Sequence, residues 1–340
     1  MKVLLYQGGL SLVGQSGVGQ AVRHQQQALL RAGVTPVADW HADAPVVHIN
    51  TVLPDAFLAA RRARRQGRRV VYYGHSTMED FRDSFCGSNL AAPLFRRWIL
   101  HCYRQGDVVI TPTAYSRRIL LGYGLKQPVY SLSNGVDTSF FAPSPARRAR
   151  FRQAYRLADD ELAVISVGHL FARKGLPEYL ELARSMPQVR FFWFGHTDRR
   201  LQSRAIRKAV ANAPANVCFA GFADREALCD AYCGADAFAF MSHEETEGIV
   251  VLEALACGTP TVVRDIPVYS GWLRDGENVY MARDLDGFRE RVAGLLTGGL
   301  PSLREAGRAV AQQRSLEAIG RRLCQIYTEL GWMPGAPAAE

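Results

Sequence analysis

The 340-residue sequence has no apolar run approaching the roughly 18 residues of a membrane-spanning helix. The apolar stretch within Met1–Tyr6 is too short for the core of a secretory leader. Contact with a bilayer is therefore expected only at its surface. Seven cysteines, an odd number, lie at 86, 102, 218, 229, 233, 257 and 324, several of them inside apolar runs such as Asn216-Val-Cys-Phe-Ala220. That distribution excludes a disulfide scaffold and predicts reduced thiols in a cytoplasmic protein. Several chemistries also lack their signatures. There is no Gly-x-Gly-x-x-Gly dinucleotide fingerprint, no His-x-x-x-His, no Asp-x-Asp after a predicted strand and no Gly-x-Ser-x-Gly elbow. Cys229-x-x-x-Cys233 has no second pair nearby, so neither metal nor cofactor is expected.

Acidic residues are scarce in the first part of the chain. Residues 1–143 hold 16 Lys/Arg against 8 Asp/Glu, whereas the remainder holds 25 against 24, so nearly all of the net +9 lies in the first part. Such a field attracts nucleic acid, anionic lipid or phosphorylated ligands, and charge alone does not choose among them.

With 48% hydrophobic and 21% charged residues, the chain is long enough for two cores. Short runs, apolar on both faces, alternate with helical stretches: Lys2–Tyr6, Val46–Asn50, Arg69–Tyr73, Val108–Thr111 and Val129–Leu132, then Ala163–Val167, Arg190–Phe194, Val217–Ala220, Ala237–Met241 and Thr261–Val263. This is the pattern of parallel strands covered by helices, and it predicts an α/β protein of two doubly wound, Rossmann-like domains facing a cleft. The join is placed at Phe141-Ala-Pro-Ser-Pro145. The predicted domains are 1–143 and 144–332, with the last helix able to pack back on the first domain and a disordered tail over 333–340.

Ligands of open parallel sheets collect beyond the carboxyl ends of strands, so post-strand residues are the candidates. Ser16-Gly-Val-Gly-Gln20 precedes a predicted helix over Ala21–Ala32, and Gly17 and Gly19 either let the backbone approach a phosphate or form a plain turn. The richest segment runs from Ser242 to Pro260. Glu245 falls in the loop after a strand, Glu253 about one turn into the following helix, and between them the N–H groups of Gly248, Ile249 and Val250 can hold a phosphate. Glu244 and Glu247 are read as complements to the helix dipole. Arg173 and Lys174 follow another strand, placed to neutralise a departing diphosphate. His75, after Arg69–Tyr73, is either structural or a partner for a sugar or acceptor hydroxyl. Ser133-Asn-Gly-Val-Asp137 reads as turn chemistry near the join. Arg61–Arg69 carries six arginines, the usual mark of a solvated helix end. The stretch Ala92–Arg104 mixes Phe95, Trp98, Ile99 and Leu100 with Arg96 and Arg97, as either an interfacial helix or a core helix with a basic outer face.

Together the Gly17/Gly19 loop, Asn134-Gly-Val-Asp137, Lys174-Gly175 and the Glu245/Glu253 pair resemble the retaining glycosyltransferases of family 4, which have the two-domain GT-B fold. The resemblance implies that the second domain binds the sugar nucleotide and the first receives the acceptor. It assigns Glu245 to the donor hexose, Glu253 to the ribose, Gly248–Val250 to the diphosphate, and Arg173 and Lys174 to the leaving group. Gly17 and Gly19 would close over the diphosphate, and His75 would stand near the sugar and acceptor. It further implies chemistry without metal and with retained anomeric configuration. The family commonly shows Gly-Arg ahead of Lys-Gly, where this chain has Gly168-His169. Either Arg173 supplies that guanidinium from a new position or the diphosphate is held with less charge.

More narrowly, Val47-His-Ile-Asn-Thr51, Gly74-His-Ser-Thr-Met-Glu-Asp-Phe81, Glu244–Glu253 and Arg264-Asp-Ile-Pro-Val-Tyr269 look like Gram-positive bacterial transferases that glycosylate diacylglycerol or glucosyl-diacylglycerol. That implies UDP-glucose or UDP-galactose as donor, a membrane glycolipid as product, and a protein peripheral on the inner face of the cell membrane beside anionic lipid. The alternative keeps the donor chemistry but serves a polysaccharide or polyprenyl-linked sugar. A nucleic-acid-binding module has only Arg61–Arg69 to support it and leaves Glu245 and Glu253 unexplained. A sugar-nucleotide epimerase of similar fold is a further rival, marked by free UDP without a transfer product.

Overall fold

A computed structural model describes residues 1–9, 14 and 17–333. The residues divide into two compact units, Met1–Met78 with Pro93–Val136 and Arg314–Glu340, and Glu79–Ala92 with Asp137–Gln313. The chain thus changes unit at 136/137, a few residues before the prolines that mark the join in the sequence, and again at 313/314. The segment Glu79–Ala92 belongs with the second unit, which no local pattern announces. The tail from 334 onward, expected to be disordered, lies outside the described residues.

The first unit holds β1 (Lys2–Leu5), β2 (Thr35–Val37), β3 (Val46–Ile49), β4 (Arg69–Tyr73), β5 (Val108–Thr111) and β6 (Val129–Ser131), ordered β2-β1-β3-β4-β5-β6. The second holds β7 (Ala163–Val167), β8 (Arg190–Phe194), β9 (Val217–Gly221), β10 (Ala237–Phe240), β11 (Thr261–Arg264) and β12 (Tyr280–Ala282), ordered β12-β11-β10-β7-β8-β9. Every pairing between neighbouring strands is parallel. Burial on both faces explains the continuous apolar runs. In β1, Val3 and Leu5 enter one core cluster and Leu4 the other.

The strands that the apolar pattern does not announce are β2 and β12, each three residues long and at a sheet edge. Thr35-Pro-Val37 tolerates a proline because an edge strand need not donate on both sides. The appearance of β12 places Asp284-Leu-Asp286 after a strand, correcting the expectation that no such triplet exists. Its chemistry is local: Asp284 caps the helix Leu285–Leu296 by accepting from the Gly287 N–H at 2.9 Å, and Asp286 pairs with Arg289 at 2.5 Å.

The helix expected over Ala21–Ala32 runs over Gly17–Arg31, so Gly17 and Gly19 stand in its first turns rather than in a preceding loop. The last helix, Leu316–Glu329, buries Leu316, Leu323 and Ile326 in one core with Ala28 and Leu29 of that first helix. In the helix Ser88–Tyr103, Ile99 is fully buried and Trp98 donates from Nε1 to the Val52 carbonyl at 2.6 Å. These two apolar residues therefore serve the core. Leu90 and Leu94 are the apolar side chains this helix exposes, 90% and 71%. Among the described residues, no helix is long and apolar enough to cross a membrane.

Candidate active site

β7 and β10 are neighbours in the second sheet, so the segments leaving their carboxyl ends lie side by side. One is a single 3₁₀ turn, Ala172–Lys174; the other carries Glu245. Gly175 closes the turn at φ 74°, and a Cβ there would sit 2.3 Å from the Met241 carbonyl oxygen, so only glycine allows the two segments to come this close.

The Lys174 ammonium donates to Glu245 Oε1 and lies over the face of Phe240, with Nζ 5.6 Å from the ring centroid. Arg173 is 8% exposed. Its Nη1 is 2.9 Å from Asp80, 2.5 Å from the Glu244 carbonyl and 3.9 Å from Glu245, while Nε donates to Ser84 at 3.0 Å. Burial alone would push the Glu245 carboxyl up. The charges of Lys174 and Arg173 and its hydrogen bonds outweigh burial, holding it below the usual carboxylate range, so it is an anion at neutral pH. The arginine thus differs from the lysine in its surroundings: its charge is met by Asp80 and its donors are spent on the 79–92 segment.

Glu253 is 3% exposed on the helix Ile249–Ala256 and accepts from the Tyr232 hydroxyl at 3.1 Å. Gly248, φ 92°, is the N-cap of that helix; its carbonyl accepts from the Val251 N–H at 2.9 Å, and the N–H groups of Ile249 and Val250 have no intrahelical partners. Ile249 and Val250 are half-buried. A Cβ on Gly248 would stand 3.3 Å from the hydroxyl of Tyr269. The Tyr269 hydroxyl is buried and has no hydrogen-bond partner, an arrangement that costs on the order of 1–3 kcal/mol. Sequence reasoning included Tyr269 in the Arg264–Tyr269 motif but gave its hydroxyl no role. Glu247, assigned to the helix dipole, is 2% exposed.

A cavity of about 420 Å³ lies in the same unit. Phe85, Leu90, Leu170, Phe171 and Ile206 give it apolar walls, and Ser84, which holds Arg173, stands among them.

The first unit carries the other candidates. His75 follows β4, stacks on Tyr73 at 5.6 Å between centroids, and points Nε2 at Asn50 Oδ1, 3.0 Å away. Asn50 Nδ2 in turn donates to Gln25 Oε1 at 3.0 Å. Burial pushes His75 down to about 4, so the ring is neutral at physiological pH. With Nε2 donating to an amide oxygen, Nδ1 carries the acceptor lone pair. Asn50 ends its own strand and was open to the post-strand rule; Gln25, on a helix face, gave no signal.

Gly19 is buried, and a Cβ on it would fall 2.4 Å from the Gly14 carbonyl oxygen, so backbone occupies its side-chain space. Gly17 is exposed, with nothing within 4 Å of a Cβ. The turn at Asn134-Gly135 is tied back by His24, whose Nδ1 lies 2.8 Å from the Gly135 carbonyl, and it stands directly before the crossing at 136/137.

The second unit thus sets a buried ion pair beside the start of a helix, and comparison with known proteins identifies the family. The family model Glycosyl transferases group 1 matches residues 147–313, and Glycosyltransferase Family 4 matches 27–140. The chain is 38% identical over 331 residues to the processive diacylglycerol alpha-glucosyltransferase of Acholeplasma laidlawii, covering 97% of this chain and 98% of that one. It is 26% identical to the alpha-galactosylglucosyldiacylglycerol synthase of Streptococcus pneumoniae (strain ATCC BAA-255 / R6), over 76% of this chain and 71% of that one. Among solved structures, Anabaena HepE in complex with UDP-glucose matches with TM-score 0.77 at 17% identity, covering 97% and 100% of the two chains. Sucrose-phosphate synthase from Thermosynechococcus elongatus matches with TM-score 0.78 at 18% identity, covering 97% and 99%. Both carry the same two-sheet GT-B fold.

Proposed function

The chain belongs to glycosyltransferase family 4, and from that premise we propose that it is a retaining, metal-independent hexosyltransferase that moves glucose or galactose from a UDP-sugar to a diacylglycerol-based acceptor. The acceptor reading is carried by one observation, the 38% identity across 97% of the chain to a diacylglycerol glucosyltransferase. Support for the donor comes from HepE, a protein of the same fold crystallised with UDP-glucose.

In this reading Glu245, kept ionised, accepts from the hexose hydroxyls and Glu253, oriented by Tyr232, from the ribose. Lys174, 14% exposed, exchanges its carboxylate partner for a phosphate oxygen as charge develops on the leaving diphosphate. Arg173 holds the 79–92 segment against the site and adds its field to the same oxygen. N–H groups of Gly248, Ile249 and Val250 hold the diphosphate, and the Tyr269 hydroxyl gains a partner there. The acceptor hydroxyl attacks C1 on the face the diphosphate leaves. The new C1–O bond forms as the C1–O–phosphate bond breaks, and the hydroxyl proton passes to the departing diphosphate. Neutral His75 orients the acceptor through Nδ1. Acyl chains fit the apolar cavity beside Ser84, and Leu90, Leu94, Arg96 and Arg97 on one exposed helix suit the inner, anionic face of the cell membrane.

The test crosses UDP-glucose and UDP-galactose with diacylglycerol and glucosyl-diacylglycerol in mixed micelles without added metal, read by mass spectrometry. A product one hexose heavier than its acceptor is expected in at least one combination. UDP-sugar binding with no product in any combination would move the acceptor to a polysaccharide or polyprenyl-linked sugar.

A further inference from the structure

Cys229 and Cys233 stand four residues apart on the helix Arg225–Gly234 and therefore share a face. Cys257 caps the helix Ile249–Ala256 at its C-terminal end. Their three sulfurs lie within 4.8 Å of one another, and Cys229 Sγ is 3.8 Å from Cys257 Sγ. The sequence shows no second pair near Cys229-x-x-x-Cys233; the fold brings a single third thiol, Cys257, distant in the chain, to that pair.

Thiolates bound to one Zn²⁺ at about 2.3 Å stand about 4 Å apart in trigonal geometry. The Cys229–Cys257 separation meets that spacing, and closing the rest of the group from within 4.8 Å needs an adjustment of less than about 1 Å. Cys229 donates from Sγ to the Phe140 carbonyl at 3.5 Å and Cys233 to the Ala142 carbonyl at 3.3 Å, contacts that metal binding would replace, while the three sulfurs, from two helices, converge on one another. Among the described residues no other set of three potential ligands converges in this way. Cys229 and Cys257 are buried, while Cys233 is partly exposed and gives a cation its approach.

We propose that Cys229, Cys233 and Cys257 form a three-thiolate site for a thiophilic divalent cation of the Zn²⁺/Cd²⁺ class. Binding replaces the S–H protons, released to solvent, with three metal–sulfur bonds; no electron is transferred. The bound cation clamps together the helix that carries Glu253 and the helix that carries its partner Tyr232. The site goes beyond the transfer reaction, and its test needs no sugar nucleotide.

The full-length chain, reduced and metal-free, is titrated with Cd²⁺ and followed by thiolate-to-cadmium charge-transfer absorption, then competed with Zn²⁺. One Cd²⁺ per chain, displaced by Zn²⁺ and accompanied by a higher melting temperature, is the expected result. Cys257→Ser and Cys233→Ser should each weaken binding at least tenfold, with Cys218→Ser and Cys324→Ser unchanged. Cys233→Ser, at a partly exposed position, keeps the test sound if Cys257→Ser fails to fold. Absent or substoichiometric binding, equal binding by folded Cys233→Ser, or a Cys229–Cys257 disulfide in place of metal uptake would overturn the proposal.

Discussion

The two arginine-rich stretches of this chain are neutralised to very different degrees. In the helix Pro145–Ala154, Arg147 pairs with Glu226 and Asp230, Arg148 with Asp236, and Arg150 with Asp230. In Arg61–Arg69, none of the six arginines pairs with a carboxylate among the described residues. Arg62 and Arg68 lie over Trp40, Arg61 over Phe57, and Arg68 donates to backbone carbonyls. The same contrast holds for the polar clusters at the strand ends. The second unit sets ions against ions, Lys174 and Arg173 against Glu245 and Asp80; the first sets neutral groups together, Gln25, Asn50 and His75. Two similar six-stranded sheets are thus fitted for different work. One balances strong charges locally; the other carries arginines without carboxylate partners among the described residues and, separately, a neutral polar cluster at its strand ends.

The largest expected effect tests the ionic half of that contrast. Lys174→Ala takes from buried Glu245 its hydrogen-bonded cation and leaves only Arg173 at 3.9 Å, so stability should fall by up to about 3–5 kcal/mol and transfer by on the order of 10³-fold. Adding Glu245→Gln should recover most of the stability in urea melts and none of the activity; recovered activity would break the assignment. On the neutral side, His75→Ala should lower kcat by about 10²-fold, with a smaller change in KM for the UDP-sugar, measured by initial rates.

Acid should separate the units. The folded pKa values of His75 and His48, pushed by burial to about 4 and about 3, lie below the unfolded value of 6.5. The unfolded chain takes up the protons first, so stability falls as pH drops from about 6.5 toward 4, by up to about 1.4 kcal/mol per pH unit for each histidine. Glu245 works lower: its depressed pKa gives stability present above the unfolded carboxylate value and lost as pH falls through the folded one. Melts monitored in each unit, through Trp98 in the first and Trp193 in the second, should show the first unit loosening earlier. Simultaneous loss would remove the distinction.

Tyr269→Phe deletes a buried hydroxyl that has no partner, so stability should hold or rise by about 1 kcal/mol while KM for the donor increases up to about tenfold. The smallest effect concerns the unpaired arginines. Each Arg→Gln change at 61, 62, 64 or 65 should weaken binding to anionic vesicles by about 1 kcal/mol, roughly fivefold, and leave the melting temperature unchanged. Arg147→Gln should do the reverse.

Much of this was legible in the chain itself. The central strands announce themselves as continuous apolar runs because they are buried on both faces, and the post-strand rule leads directly to His75, Lys174 and Glu245. β2 and β12 escape it because three edge residues carry no period. Trp98 and Ile99 read equally as membrane-facing or core-facing, since amphipathicity does not say which side another element will cover. Asp80 and Ser84, the partners of Arg173, stand some ninety residues before it, and only the return of the 79–92 segment to the second unit brings them together.

The sequence alone determined the periodicities, the uneven charge and the residues placed after each strand, because these depend on local backbone preference and on which faces must be buried. It therefore determined the fold class and named Lys174 and Glu245 as candidates, without their pairing. Tertiary structure decided everything that rests on convergence: Arg173 bound to Asp80, Tyr269 left without a partner beside Gly248, Trp98 turned inward, and Cys257 brought to Cys229 and Cys233. The physical reason is that hydrogen bonds and metal–ligand bonds act over about 2–4 Å, and sequence separation does not reveal which distant side chains the packing of helices on a sheet will bring within that range.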